Sequence, residues 1–153
     1  MMSEQRTAPA TVHRLRALTV LLDTAAHRFA TRNGLSQTDV RALICLLDQE
    51  RAELPASPTW LAGQLHLTTA SVTALLDRLE RAGHVRRVAR TDDRRRVDLA
   101  VQPSAKEMGW TFFGPLIDAT ADVLAARSKE ERAVIDGFLD EMVAAVERLG
   151  SAP

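Results

Sequence analysis

Cysteine is nearly absent from this sequence, since Cys45 is the only one among 153 residues. A single cysteine excludes an intrachain disulfide framework, so the fold must rely on its apolar core. Aromatic residues make up only 4% of the chain, and tyrosine is missing altogether. Because β-sandwiches favour aromatic and β-branched residues, this composition favours a helical protein built on Leu, Ala and Val.

Long apolar runs are also missing. None approaches the roughly 18 residues of a membrane span, and the opening residues MMSEQRTAPA contain no apolar signal-peptide segment. We therefore expect a cytoplasmic protein that does not associate with membranes. With 153 residues, of which 46% are hydrophobic and 26% charged, the chain is expected to form one globular domain.

The usual signatures of catalysis and metal binding are not found either. The sequence has no nucleophile–base pattern, no Gly-rich phosphate loop and no HExxH motif. Its four histidines, at positions 13, 27, 66 and 84, lack the spacing of a metal site, and one cysteine argues against structural zinc. We expect that the protein is not an enzyme and uses no metal or other cofactor.

Charge is balanced over the whole chain but not along it. The formal net charge is zero, yet the segment from Arg78 to Arg96 has eight arginines against Glu80, Asp92 and Asp93. This segment therefore carries +5, and the rest of the chain carries the opposite charge. A local basic stripe indicates contact with a polyanion. The alternative, equally open from charge alone, is a solvated Arg-rich surface.

Apolar spacing and capping residues predict six helices and one hairpin. Residues 1–9 are polar and are predicted to be disordered, and residues 10–150 are predicted to form a single domain. The first helix ends near Asn33-Gly34, and Ser36, Ser57 and Thr68 are N-cap candidates for the next three. After the fourth helix, alternation over HVRRVAR and RRVDLAV predicts a β-hairpin around TDD. Two further helices are predicted to start at Pro103 and after Ser128, where Ser and Glu131 form a capping box.

Two helices joined at HLTT and followed at once by a basic hairpin are typical of a winged helix-turn-helix. If the apolar positions of the fourth helix are buried, its first turns present short polar groups outward, together with the positive end of the helix dipole. The hairpin tip, RTDDRRR, carries arginines suited to a narrow groove of DNA, and Asp93 is placed to hold Arg95 by a charge-assisted pair. The predicted DNA-binding residues are Thr68, Thr69, Ser71, Thr73, Arg78, Arg90, Asp93, Arg94, Arg95 and Arg96.

The run LAGQLHLTTASVTALLDRLERAGHVRR, followed by DDRRRVDLAV, resembles the MarR family of bacterial transcription regulators. The resemblance covers about residues 10–150. It implies a mainly α fold, with a winged-helix DNA-binding lobe over 36–101 and dimerisation helices over 10–33 and 103–150. It also implies a homodimer that binds double-stranded DNA. One departure is that Ala70 and Ala74 stand where many members carry arginine, which leaves less direct readout of guanine.

Many members of that family release DNA when they bind a small phenolic or lipophilic effector, or when they are oxidised. The family's arrangement implies a pocket lined by helices one, two and five, for which His27, Arg28, Trp110 and Phe113 are the candidates. The alternative is that these aromatic residues only pack in the core or the dimer. Cys45 is expected to be an inert core residue, because no cationic side chain is arranged around it to lower its pKa.

These observations predict a sequence-specific DNA-binding regulator, a ligand-responsive repressor that acts as a homodimer on a pseudo-palindromic operator. A hypothesis from another class is a winged-helix module that binds proteins and has lost DNA binding. The neutral net charge and the Arg-poor fourth helix keep this alternative open.

Overall fold

A computed structural model of the chain describes residues 9–90 and 96–150. Within this part of the chain lie six helices and one two-stranded antiparallel sheet. The order is α1 (Ala10–Arg32), α2 (Gln37–Arg51), α3 (Pro58–Leu65), α4 (Thr69–Arg81), β1 (Val85–Ala89), β2 (Val97–Val101), α5 (Pro103–Ala125) and α6 (Lys129–Gly150). The mainly α winged-helix fold predicted from the sequence is therefore confirmed.

The helix boundaries follow from the predicted caps. Ser36 caps α2 in a reciprocal box with Asp39, Ser57 accepts the backbone N–H of Trp60, and Thr68 accepts that of Ser71. Helix α1 ends at Asn33, after which Gly34 adopts a φ of +65° that L-residues rarely tolerate. Each cap satisfies a backbone donor or acceptor that a helix end would otherwise leave unpaired.

The chain divides into two compact units, one reaching to Met108 and the other starting at Gly109. In the first unit the core lies where α2, α3 and α4 meet the sheet. Helix α4 contributes the four residues that its spacing predicts, and all four are almost fully buried: Val72, Leu75, Leu76 and Leu79. Burying this face fixes which side of α4 points outward.

The hairpin is tied to the first unit at its base. Val85 pairs with Val101 and Ala89 with Val97, which places Arg87 opposite Leu99 at the centre of the ladder. On the other edge, the backbone N–H of Leu99 donates to the carbonyl of Ala56 at 2.7 Å. Val85, Leu99 and Val101 are buried in the core. These contacts hold the strands beside α4.

The second unit contains α6 and most of α5. Helix α6 begins as predicted, with the Glu131 N–H donating to the Ser128 hydroxyl at 3.1 Å and the Ser128 N–H to the Glu131 carboxylate at 2.8 Å. No residue of α6 is buried. Its apolar positions remain largely exposed: Val134, Phe138, Leu139, Val143, Val146 and Leu149. Among the described residues, no helix is long and apolar enough to cross a membrane.

Candidate nucleic-acid interface

The first turns of α4 present a small polar surface. Thr68 caps the helix, with its Oγ1 accepting the Ser71 N–H at 3.2 Å and lying 2.9 Å from the Ser71 hydroxyl. Thr73 donates its hydroxyl to the Thr69 carbonyl at 2.9 Å. Within the part of the chain that the structure describes, the hydroxyl of Thr69 has no hydrogen-bond partner. Its donor and acceptor are available for a ligand at the positive end of the helix dipole.

Thr68, Thr69, Ser71 and Thr73 are all exposed, as are Ala70, Ala74 and Asp77. The structure thus brings the four predicted threonine and serine side chains together at one end of α4. The exposed Ala70 and Ala74 add no long side chain to this surface. Such a surface can approach phosphates or base edges closely, with short side chains rather than long cationic ones.

Arg78, also predicted to bind DNA, makes an ion pair within the first unit. Its Nη2 donates to Asp39 Oδ1 at 2.6 Å, and its Nε lies 3.4 Å from Oδ2. The side chain of Asp39 is only 3% exposed, whereas that of Arg78 is 52% exposed. The pair links the second half of α4 to the first turn of α2. A direct contact between Arg78 and DNA remains a prediction.

Asp39 is a residue that the sequence prediction missed. Burial by itself raises the pKa of this carboxyl group, but the hydrogen bonds from Arg78 and Ser36 outweigh burial and hold the pKa below its usual range. The sequence does contain a local signal for Asp39. Ser36 and Asp39 have the spacing of a capping box, which places an acidic side chain in the first turn of α2.

Arg87, at the centre of β1, contacts two carboxylates of α4. Its Nη1 donates to Glu80 Oε2 at 2.5 Å and its Nη2 to Asp77 Oδ1 at 2.7 Å. The backbone N–H of Arg87 donates to Glu80 Oε1 at 3.0 Å. That backbone hydrogen bond, together with the guanidinium, lowers the pKa of Glu80. We call Asp77, Glu80 and Arg87 the helix–wing cluster.

The hairpin continues beyond its strands by one hydrogen bond, in which the Arg90 N–H donates to the Arg96 carbonyl at 3.0 Å. Arg96 is exposed at the end of the described hairpin, and Arg86 is exposed on β1. The predicted contacts of Asp93, Arg94 and Arg95 lie outside the described residues, so they stay predictions. Arg90 and Arg96 lie at the hairpin end, as expected for a wing.

The candidate ligand residues lie in different units. His27 and Arg28 are exposed near the end of α1, and His27 Nδ1 lies 3.4 Å from Gln37 Nε2. Trp110 is 60% exposed on α5, and its ring covers Gly114, where an added Cβ would lie 3.3 Å from the indole. Phe113 packs edge-to-face with Phe112, with ring centroids 5.0 Å apart.

A cavity of about 300 Å³ lies in the first unit, between the end of α2, the segment before α3, β2 and the start of α5. Leu46, Leu99 and Val101 are among its apolar lining residues, and Glu50 and Lys106 form an ion pair at its edge. None of the four predicted ligand residues lines it.

Cys45 is half-buried, and burial, followed by the nearby Asp48, raises the pKa of its thiol.

Comparison with known proteins identifies the family. The family model described as MarR family matches residues 35–97. The HTH-type transcriptional regulator YcgE of Bacillus subtilis, whose name calls it uncharacterized, is 34% identical over 149 residues, covering 95% of this chain and 92% of YcgE. The HTH-type transcriptional repressor YetL of the same organism is 33% identical over 116 residues, covering 76% of this chain and 68% of YetL.

Solved structures show the same fold at lower identity. A point mutant of MepR from Staphylococcus aureus matches with a TM-score of 0.74 at 17% identity, covering 92% of this chain and 99% of MepR. MepR in complex with DNA matches with a TM-score of 0.58 at 18% identity, covering 88% of this chain and 98% of MepR. NadR in complex with 4-hydroxyphenylacetate matches with a TM-score of 0.63 at 20% identity, covering 93% of this chain and 97% of NadR. This chain belongs to the MarR family and is a transcription regulator rather than an enzyme.

Proposed function

We propose that this protein represses transcription in the cytoplasm by binding, as a homodimer, to a pseudo-palindromic operator in double-stranded DNA. The observation that carries the proposal is the exposed polar turn of α4 beside a hairpin that is fixed to the same helix. The name of YetL, a repressor, supports the direction of regulation. The rival hypothesis of a protein-binding module is not favoured by these relatives.

In this proposal the first turns of α4 enter the major groove. Thr69 and Ser71 are placed to contact base edges or phosphates, and Thr68 and Thr73 lie on either side of them. The hairpin reaches the flanking backbone and minor groove through Arg90 and Arg96, together with Arg94 and Arg95. Arginine suits that position because a narrow minor groove concentrates negative potential.

Dimerisation is supported by the apolar surfaces that one chain leaves exposed. Helix α6 exposes six large apolar side chains, and α1 exposes Val12, Leu18, Val20, Leu21 and Leu22. Large exposed apolar patches mark interaction sites in soluble proteins. A symmetric dimer would present two copies of α4 to half-sites about 10 bp apart.

A small lipophilic or phenolic effector is proposed to weaken DNA binding. The NadR complex with 4-hydroxyphenylacetate supports this class of ligand. His27, Arg28, Trp110 and Phe113 are the candidate contacts. Effector binding of this kind typically shifts DNA affinity by a coupling free energy of about 1–3 kcal/mol.

The test is fluorescence anisotropy with the DNA upstream of the protein's own gene and with a scrambled duplex of equal length. At physiological salt, we expect the specific duplex to bind at least about 1,000-fold more tightly. Equal affinity for the two duplexes over a range of salt concentrations would reject sequence-specific regulation at this site.

A further inference from the structure

Arg87 connects the hairpin to α4 through three hydrogen bonds. Two come from its guanidinium and one from its own backbone N–H, and together they engage two carboxylates three positions apart on α4. We infer that the helix–wing cluster (Asp77, Glu80 and Arg87) fixes the wing relative to the DNA-contacting helix, so that Arg87 is a positioning residue for operator binding. This inference rests on the proposed function, because it requires that α4 and the hairpin bind the same DNA.

The geometry of the cluster requires arginine. A guanidinium is a planar fork that reaches two acceptors at once, whereas an ammonium is a compact point charge on a flexible stem. Glu80 accepts from both the backbone and the side chain of Arg87, which fixes the position of β1 as well as the rotamer. A rigidly held wing loses less conformational freedom when its tip arginines bind DNA.

The same contacts engage the guanidinium of Arg87, one of the arginines counted in the basic stripe, within the protein. Its side chain is 28% exposed and its guanidinium faces two carboxylates, so the cluster as a whole carries a charge of −1. Asp77 is 51% exposed on the outward side of α4. A bare carboxylate there would repel phosphate, and the guanidinium of Arg87 offsets part of this negative charge. Arg87 therefore acts through the position of the wing and the charge of α4.

Arg87→Lys distinguishes an effect of wing position from an effect of charge, because it keeps the positive charge and removes the planar guanidinium. The variant should fold, since strand pairing and the contact between Leu99 and Ala56 hold the hairpin base. The matched control is Arg86→Lys, the adjacent and exposed arginine of the same strand. We expect Arg87→Lys to bind the operator about tenfold more weakly, the effect of losing order in one or two side chains, whereas Arg86→Lys changes little.

The effect must also depend on the wing. In a variant whose four wing arginines Arg90, Arg94, Arg95 and Arg96 are all alanine, a positioning residue has no wing contacts left to position. Arg87→Lys should then cause no further loss of affinity, a non-additivity that a double-mutant cycle measures. Equal losses in both backgrounds, or an Arg87→Lys variant that binds like the parent, would overturn the inference. Normal operator binding by the quadruple variant would overturn it too.

Asp77→Asn gives a second test at an exposed position where folding is not at risk. Removing a negative charge beside DNA should strengthen binding if only electrostatics acts. Loss of one arm of the cluster should weaken binding about threefold, as for partial loss of order in one side chain. Tighter binding by Asp77→Asn would overturn the positioning role. A parent protein that shows no preference for its operator would instead reject the proposed function. Failure of the positioning role and failure of the proposed function therefore give different results.

Discussion

At the scale of single residues, two arginines that contribute to the basic stripe have internal partners. Arg78 pairs with Asp39, and Arg87 pairs with Asp77 and Glu80. Their charges are therefore largely compensated within the first unit. The positive charge that faces a polyanion is smaller than the sequence count of +5 indicates.

The Asp39–Arg78 pair leads to a prediction about acid stability. Because the pKa of Asp39 is lowered in the folded protein, the unfolded chain takes up a proton first as the pH falls. The stabilisation is complete above the ordinary carboxyl pKa of about 4 and is lost as the pH falls through the folded value. Asp39→Asn should lower the free energy of unfolding by about 1–3 kcal/mol at neutral pH, the cost of disrupting a buried charged hydrogen bond.

Urea unfolding followed by circular dichroism at pH 7 and at stepwise lower pH measures this effect. Asp39→Asn should lose less stability than the parent as the solution is acidified. Asp48→Asn is the matched control, because Asp48 pairs with Arg51 on the surface and is 61% exposed. Such pairs contribute little. If the two variants have the same acid profile, Asp39 has no special role.

At the scale of elements, α4 combines a buried apolar face with an outward polar turn. The side chain of Thr68 caps the helix, and the hydroxyl of Thr73 donates to a backbone carbonyl. Among the described residues of this turn, Thr69 therefore has a side chain whose donor and acceptor are both available. The structure of α4 therefore places Thr69 first among the four predicted threonine and serine contacts, a distinction that the sequence pattern did not make.

Thr69→Val should weaken operator binding by about 1 kcal/mol, the net value of one hydrogen bond, without changing the thermal midpoint noticeably. Thr31→Val serves as the control, because Thr31 is an exposed helical threonine that donates to a backbone carbonyl four residues earlier. Anisotropy with the operator duplex and a thermal scan give the two readouts. Equal affinity of both variants would remove Thr69 from the interface.

At the scale of the whole molecule, the exposed stripe on α6 predicts a homodimer. Introducing carboxylates at Val143 and Val146, which are 57% and 61% exposed, should convert a dimer into monomers and abolish tight operator binding. Buried unpaired charges oppose association strongly. Light scattering at micromolar concentration measures the mass, and Arg132→Glu, on an exposed polar position of α6, is the control. A parent protein that is already monomeric would contradict the prediction.

The effector response is also a property of the whole molecule. Trp110→Ala should change the release of DNA by a phenolic effector while leaving affinity without effector within about twofold, because Trp110 lies outside the proposed DNA-contacting turn. Anisotropy titrations with 4-hydroxyphenylacetate and related phenols measure both quantities. Leu116→Ala, another exposed apolar residue of α5, is the control. An unchanged response in Trp110→Ala would exclude this residue from the effector site.

The sequence by itself determined the secondary structure and its order. Caps at Ser36, Ser57, Thr68 and Ser128 are local signals, because each involves residues within one helical turn. The apolar spacing of α4 and the alternation in the hairpin likewise depend on neighbouring residues, so the buried face of α4 and the strand pairing followed from pattern alone. The motif around α4 indicated the family for the same reason.

Only the tertiary structure decided which charged residues are paired. Asp39 and Arg78 are 39 positions apart, and Arg87 is ten positions from Asp77. A charge count cannot distinguish a solvated arginine from one that faces a carboxylate, because that difference depends on how two elements pack and on the few ångströms between their side chains. Packing of α4 against α2 and β1 therefore assigned Arg78 and Arg87 internal partners, whereas the polar turn at Thr69 remained open.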